Sequence, residues 1–319
     1  MTRLVSALLL AVFSGLVSAA DFAPFSNNGA LARGFALPSL GRALLDQDPA
    51  KRGALYVDFL NEYHTDGAPL TESVLLDGET VRVAYGLRGG FSEVWEWNLE
   101  VPAYVQGGGF GDDLIEGWHE TFGLPNGGRE LAPQDQYHYQ YVRNGTTVLD
   151  VTETGTRLGD MTIGLGWQWM DSSMLRMQIK LPTGDGERLT GGNAGVALWT
   201  DVAIPFAEDG RWSGYVSGGG SFNDEGEVLP QQQRAFVGFG GLGLRLRLYN
   251  SLHAYTQFYL HSSLYSDSEL DPLSKPGAPA AFGLSWDVGD EAVFDLAFQE
   301  DLSVAASPDF SLRLGLRAR

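Results

Sequence analysis

Cysteine is absent from this chain of 319 residues, which removes disulfides, thiolate-bound zinc, iron–sulfur clusters and cysteine nucleophiles from the possibilities. Basic side chains are scarce: 21 Lys and Arg stand against 40 Asp and Glu, a formal net charge of −19. Phosphate backbones demand a basic face, so no nucleic-acid partner is expected. After residue 20 no apolar run approaches the ~20 residues that a spanning helix needs, so membrane insertion, if it occurs, has to be as a barrel. Catalytic signatures are missing as well. There is no Gly-x-Ser-x-Gly elbow, no His-Glu-x-x-His and no phosphate loop.

The first twenty residues carry Arg3, an apolar stretch from Leu4 to Val17 and the small residues Ser18, Ala19 and Ala20. That is the layout of a cleaved secretory signal, shorter than a membrane anchor. Glycine, by contrast, is abundant, 42 residues with no collagen period, and it comes with 37 aromatic side chains (8 Trp, 12 Tyr, 17 Phe). Many strands and turns are the expected outcome.

From Val81 onward apolar side chains fall at every second position, the period of a strand with one greasy face. Val81, Val83, Tyr85 and Leu87 alternate with Arg82, Ala84, Gly86 and Arg88, and Trp95, Trp97, Leu99 and Val101 with Glu96, Asn98 and Glu100. The pattern recurs through Leu175–Leu181, Leu242–Leu248, Phe282–Trp286 and Phe310–Leu316. A soluble β-sandwich also alternates, so connection lengths have to discriminate. Strands placed at 53–63, 79–88, 93–105, 158–169, 174–182, 193–206, 211–221, 234–249, 252–264, 279–288, 291–302 and 309–319 leave connections that alternate long and short. Outer-membrane barrels have this asymmetry, with tight periplasmic turns and extended surface loops. Trp95, Trp167, Trp169, Trp212 and Trp286 share the outward parity and lie near the short turns, as an interfacial aromatic girdle would. The expected fold is therefore all-β: a transmembrane antiparallel up-and-down β-barrel of twelve strands over 53–319, with a short helix in a long extracellular loop. Residues 21–52 would plug the bore or lie in the periplasm.

With the apolar face toward lipid, the polar face becomes the lumen. It presents Arg82, Arg88, Arg176, Lys180, Arg245, Arg247 and Arg313 beside Glu96, Glu100 and Asp201. Charges of both signs across a bore either select solutes in a wet path or neutralise each other in a plugged interior. The loop 106–157 is too long for a plain connector. Asp112 is a suitable N-cap for a short helix carrying Trp118, His119 and Phe122, with Asp113 beside it and Arg129 beyond, and this helix would gate the mouth. Within the same loop, the segments 137–141 and 148–151 flank Asn144-Gly145 as a hairpin would.

Several blocks resemble the DUF3187 family of proteobacterial envelope proteins. They are Pro24–Asn28 to Leu37-Pro38, Asp77–Arg82, Gly111–Ile115 with His119, Phe122–Pro125 with Gly128-Arg129, and Gly159-Asp160. The resemblance covers most of the chain and implies an outer-membrane barrel of uncharacterised function, with no catalytic residues to carry over. Leu181-Pro182-Thr183-Gly184-Asp185 resembles a strand-end motif of channel-type barrels. Such barrels commonly end on an aromatic residue, whereas this sequence ends Arg317-Ala318-Arg319.

An enzyme is not expected. His253 and His261 share a strand face but stand eight residues apart, roughly 27 Å at ~3.4 Å per residue, too far to share a site. A barrel hydrolase using His119 is the lesser alternative. The expectation is a channel or transporter for a small solute, with a non-conducting structural or adhesive barrel, meeting divalent cations and lipopolysaccharide, as runner-up. No cofactor and no metal are called for. The expected partners are outer-membrane lipid, lipopolysaccharide, the barrel-assembly machinery and an unidentified small solute, in the outer membrane of a Gram-negative bacterium.

Overall fold

Alternation of apolar and polar side chains gives every long strand one face that must leave water and one that need not, and closing the sheet on itself satisfies the remaining edges. The computed structural model has this form, and it describes residues 21–42, 52–68, 70–109, 111, 117, 133–206, 210–302 and 306–318. Two short strands, β1 (Asp21–Phe25) and β2 (Leu40–Arg42), pair with each other. The remaining strands form one antiparallel sheet. In chain order they are β3 (Arg52–Ala68), β4 (Glu72–Gly90), β5 (Trp95–Gly107), β6 (His138–Arg143), β7 (Thr146–Val151), β8 (Gly155–Leu158), β9 (Thr162–Met170) and β10 (Ser173–Lys180). They continue as β11 (Gly195–Pro205), β12 (Trp212–Asn223), β13 (Phe236–Arg247), β14 (Leu252–His261), β15 (Pro279–Val288), β16 (Ala292–Asp301) and β17 (Phe310–Ala318).

Twelve of these close the cylinder. β3, β4, β5 and β9 to β17 each pair with the next, and β17 returns to β3 in the register Leu314↔Val57. The expected all-β, twelve-stranded antiparallel barrel is what is found. β8 and β9 both pair with β5 and together replace the single strand expected over 158–169; Gly159–Met161 interrupt them. One expected loop is corrected. Residues 64–78 are mostly ladder, because β3 and β4 pair continuously from Arg52↔Arg88 to Ala68↔Glu72 and rise as a hairpin beyond the barrel. The hairpin β6–β7 docks on it through Leu75↔Gln140 and Asp77↔His138. Its turn is Asn144-Gly145, with φ of 53° and 70°, the left-handed pair that a two-residue hairpin loop requires. The gating helix expected around Asp112–Phe122 falls outside the described residues apart from Gly117. A one-turn helix, Asp271–Ser274, lies between β14 and β15.

The outer wall is apolar. Leu165, Leu175, Leu198, Val216, Leu242, Leu260, Phe282, Leu296 and Leu314 are all exposed, a continuous band that in water would be a large uncovered patch. Trp95, Trp167, Trp169, Trp212 and Trp286 lie exposed on this surface toward the short-turn end. The Trp95 and Trp167 rings stack at 5.9 Å, and Phe91 continues the stack.

Candidate functional site

Inside the barrel, alternation delivers polar and small side chains to a common bore, and residues 21–42 run through it. The segment enters and leaves at the short-turn end and reaches toward the long-loop end. Nearly all of its side chains are buried, among them Phe22, Phe25, Leu31, Phe35 and Leu40. Its backbone is held by inward side chains of the wall. Gln257 donates to the Ala23 carbonyl (3.0 Å), Arg313 to that of Pro24, Tyr265 to that of Leu31 (2.8 Å) and Arg176 to that of Arg42 (3.1 Å). Glu62 accepts from the Ala30 amide (3.0 Å) and Asn223 from the Ala36 amide (2.6 Å). Asn27 Nδ2 sits 2.8 Å from His261 Nε2 and donates to the Ala306 carbonyl.

Two kinds of wall surround this segment. On β12 to β15 it meets rings: Phe22 packs edge-on against Tyr215 (4.9 Å) and Tyr255, and Phe25 against Tyr259. Glycines make the room. A Cβ at Gly243 would overlap the Tyr215 ring and one at Gly283 the Tyr255 ring.

On β16 and β17, β3 to β5 and β9 to β11 the wall is a ladder of ion pairs. Asp58 accepts from Arg82 (2.8 Å) and Arg313 (3.0 Å), and Arg82 also holds Glu100. Arg176 lies between Glu96 and Asp201 (2.6 Å to the latter), while Glu96 takes a second arginine, Arg42 of the N-terminal segment, at 2.9 Å. Asp201 further accepts from Trp199 (3.1 Å) and Ser217. Arg317 pairs with Asp295 at 2.6 Å. Charges so deep persist because each has partners; an unpaired one would cost several kcal/mol.

Gly159-Asp160 and the Leu181–Asp185 motif meet here. Asp160 turns inward at the break between β8 and β9, pairs with Lys180, and accepts from the amides of Gly184 (2.7 Å) and Gly192 (2.9 Å). Thr183 donates to the Gly159 carbonyl at 2.8 Å. Together these contacts pin the β10–β11 connection across the bore. Toward the long-loop end the bore closes over Leu76, Tyr139, Val237, Leu264 and Leu31. On β6, outside the barrel wall, burial pushes the Tyr139 phenol well above its usual range, helped by the neighbouring Glu62 carboxylate it donates to at 3.0 Å.

Between the segment and the charged wall lies a cavity of about 160 Å³, lined from Arg52 and Arg88 toward the short-turn end to Asp160 and Lys180 toward the long-loop end. Of the ten expected lumen residues, Arg82, Arg88, Glu100, Arg176, Lys180 and Asp201 line it. Glu96 stands behind Arg176 and Arg42. Arg313 faces a separate small cleft beside Pro24 and Asp58. Arg245 and Arg247, half-buried and exposed on β13, lie on the aromatic side and do not reach the cavity. The sequence reasoning passed over Asp58, Glu62 and Asp160, and Arg33 and Arg42 of the segment. Asp58 carries a usable signal, since Tyr56, Asp58 and Leu60 share one parity on β3 and are all buried. The loop candidates Asp112, Asp113, Trp118, His119, Phe122 and Arg129 lie outside the described residues.

Among the described residues no three His, Asp or Glu side chains converge as a metal ion would require. His138 pairs with the exposed Asp150 on the outer hairpin, while His261 is engaged by Asn27 and the Ser262 carbonyl.

Among solved structures, the chain is similar to the COG4313 outer membrane channel from Pseudomonas putida F1, with a TM-score of 0.53 at 12% identity, over 88% of this chain and 98% of that one. The NanC porin (TM-score 0.47, 8% identity, 84% and 99% covered) and the translocator domain of the autotransporter NalP from Neisseria meningitidis (0.46, 10%, 86% and 90%) are more distant. With the first of these the shared feature is the fold, that of an outer-membrane β-barrel. No curated protein matches the sequence. A family match does extend from residue 4 to residue 319, and by it the chain belongs to DUF3187, a family of proteins of unknown function.

Proposed function

We propose that the protein is an outer-membrane channel or transporter for a small polar solute, and that residues 21–42 close the bore and move to open it. The observation that carries this reading is the pairing of β1 and β2, which form a two-stranded sheet of their own and add no rung to the barrel ladder. The segment can therefore leave without breaking the wall. Part of its hold on the wall is hydrogen bonds from side chains, which water or a polar solute replaces at small cost, and part is the packing of Phe22 and Phe25 on the wall's rings, which has to be given up for the segment to move. In this reading residues 1–20 direct export, the assembly machinery inserts the barrel, and the apolar exterior meets lipid and lipopolysaccharide.

Planar-bilayer recording tests it. Protein lacking residues 21–42 should conduct steadily, and the intact protein should conduct less or open intermittently. If neither carries current although both migrate as folded barrels, the interior is structural packing and the channel reading fails.

A further inference from the structure

A small recess lies at the seam between the aromatic and the charged wall. Gln257, Ala281, Gln299 and Ser311 stand directly opposite one another across β14, β15, β16 and β17, one row of inward positions. The next row toward the short-turn end is Tyr255, Gly283, Ala297, Arg313 and Asp58. Small residues in the middle of both rows leave a gap between longer neighbours. Opposite side chains on adjacent strands stand ~5 Å apart, so Gln257 and Gln299 face each other over Ala281 at about twice that spacing. The result is a cleft of about 20 Å³, covered by Pro24 and Phe25 of the N-terminal segment. A space of ~15 Å³ admits one water, so the cleft has room for one oxygen.

The walls of this cleft are short of partners. Tyr255 Oη, Gln257 Oε1, Gln299 Nε2 and Ser311 Oγ are buried atoms with no hydrogen-bond partner among the described residues. All four side chains line the cleft, and each is more than nine-tenths buried. Gln299 and Ser311 are direct neighbours in the ladder and still do not bond each other. Folded interiors rarely leave such atoms unsatisfied, and four around one gap point to an occupant. The set combines a donor, an acceptor and two hydroxyls that act as either. A hydroxyl oxygen, which both donates and accepts, answers all of them, whereas a carboxylate offers Gln257 Oε1 no proton. The charges at the cleft are already engaged, since Arg313 donates to Asp58 (3.0 Å) and to the Pro24 carbonyl. Pro24 and Asn28 line both this cleft and the larger cavity, so a solute in the cavity adjoins the cleft across these two residues.

We propose that the cleft takes one hydroxyl of a small neutral polyol through Gln257, Gln299 and Ser311. As a step in transport, this rests on the reading of the bore as a solute path. Water offers the same oxygen, so the test has to tell the two sources apart. Saturation-transfer NMR of the full chain, in a detergent without hydroxyl groups, uses glycerol as the probe and its trimethyl ether as the control, which accepts but cannot donate. Glycerol should bind and the ether should not. Gln299→Leu and Ser311→Ala should each weaken glycerol about fivefold, the usual loss for one neutral hydrogen bond, and should leave the melting midpoint of the solute-free protein unchanged or raised. Heat-modifiable migration on gels verifies that each variant is folded. Absence of glycerol binding, equal binding of the ether, or unchanged affinity in both folded variants overturns the proposal. A lowered solute-free midpoint in both variants with glycerol binding unchanged assigns the cleft to water and overturns it as well. Bilayer recording of the protein lacking residues 21–42 keeps the two readings apart: glycerol binding without current upholds the site and sinks the channel, whereas current without glycerol binding does the reverse.

Discussion

The two walls of the bore solve the same problem differently. On β3 to β5 and β9 to β11 the sequence buries charge and must then pair it, so Asp58, Glu96 and Asp201 each hold at least one arginine. On β12 to β15 it buries Tyr215, Tyr255 and Tyr259 against Phe22 and Phe25, with glycine opposite the rings. The Oη atoms of all three tyrosines lack hydrogen-bond partners among the described residues. The charged wall is therefore intolerant of single deletions and keeps open space beside it, while the aromatic wall is packed and tolerant of polar loss. This difference also says where a solute would pass. In the proposed reading a wet path would run along the ion pairs, with the segment packed through Phe22 and Phe25 on the aromatic side.

Breaking the charged wall should have the largest effect. Arg176→Met removes the guanidinium that bridges Glu96 and Asp201, both nearly inaccessible to solvent, and takes from Asp201 its arginine while Glu96 keeps Arg42. Breaking a buried pair in this way costs about 3–5 kcal/mol. The variant should unfold at clearly lower temperature in detergent, followed by the loss of heat-modifiable migration; an unchanged midpoint would mean that water already solvates these carboxylates. On the aromatic wall, Phe22→Ala removes a fully buried ring, a change worth about 3–5 kcal/mol in a packed core. Here the loss should fall on the segment alone. Proteolysis within residues 21–42 should accelerate while the barrel melts as before, and a lower barrel midpoint would contradict the independence of β1 and β2 from the ladder.

The same contrast explains what could be read from sequence. Strands in contact with lipid on one side and the bore on the other alternate strictly, so β4, β5, β9, β10 and β13 were legible, as were the tryptophans at the short-turn end. Beyond the barrel both faces of a strand meet water. Thr65, Asp66, Gly67 and Ala68 are all exposed, and with no greasy face the top of β3 reads as a loop although it is paired throughout. The N-terminal segment fails for the opposite reason. It is enclosed on all sides, so Phe22, Ala23, Phe25, Ala30, Phe35 and Ala36 are buried without any period. Parity identified which charges point inward, but not which meet: Arg82 and Glu100 are 18 residues apart and Arg176 and Glu96 are 80 apart, a matter of strand register and of a segment whose path has no sequence signature. The Asn144-Gly145 hairpin, by contrast, depends on two local dihedral angles and was fully legible.

That hairpin supplies a control outside both walls. Gly145 has φ of 70° with nothing within reach of an added Cβ, so Gly145→Ala should cost only the left-handed backbone penalty, about 1–2 kcal/mol. The cost should appear as faster amide exchange in β6 and β7, with the barrel and the segment unaffected. Slower exchange, or a shift in the barrel midpoint, would show that the hairpin is coupled to the bore through Tyr139 and Glu62.

The smallest effect sharpens the comparison most. Tyr255→Phe deletes a buried hydroxyl that has no partner among the described residues while keeping the ring that packs on Phe22. An unsatisfied polar atom contributes nothing by being there, so its removal should leave the melting midpoint and the protease resistance of the segment unchanged or slightly raised, by no more than about 1 kcal/mol. If instead the variant loses about 1 kcal/mol or more, the hydroxyl has a partner in solution, and water reaches the aromatic wall behind the segment. The bore would then be wet on both sides, and the segment would be a loosely seated strand in a hydrated channel instead of a plug bonded to one dry wall.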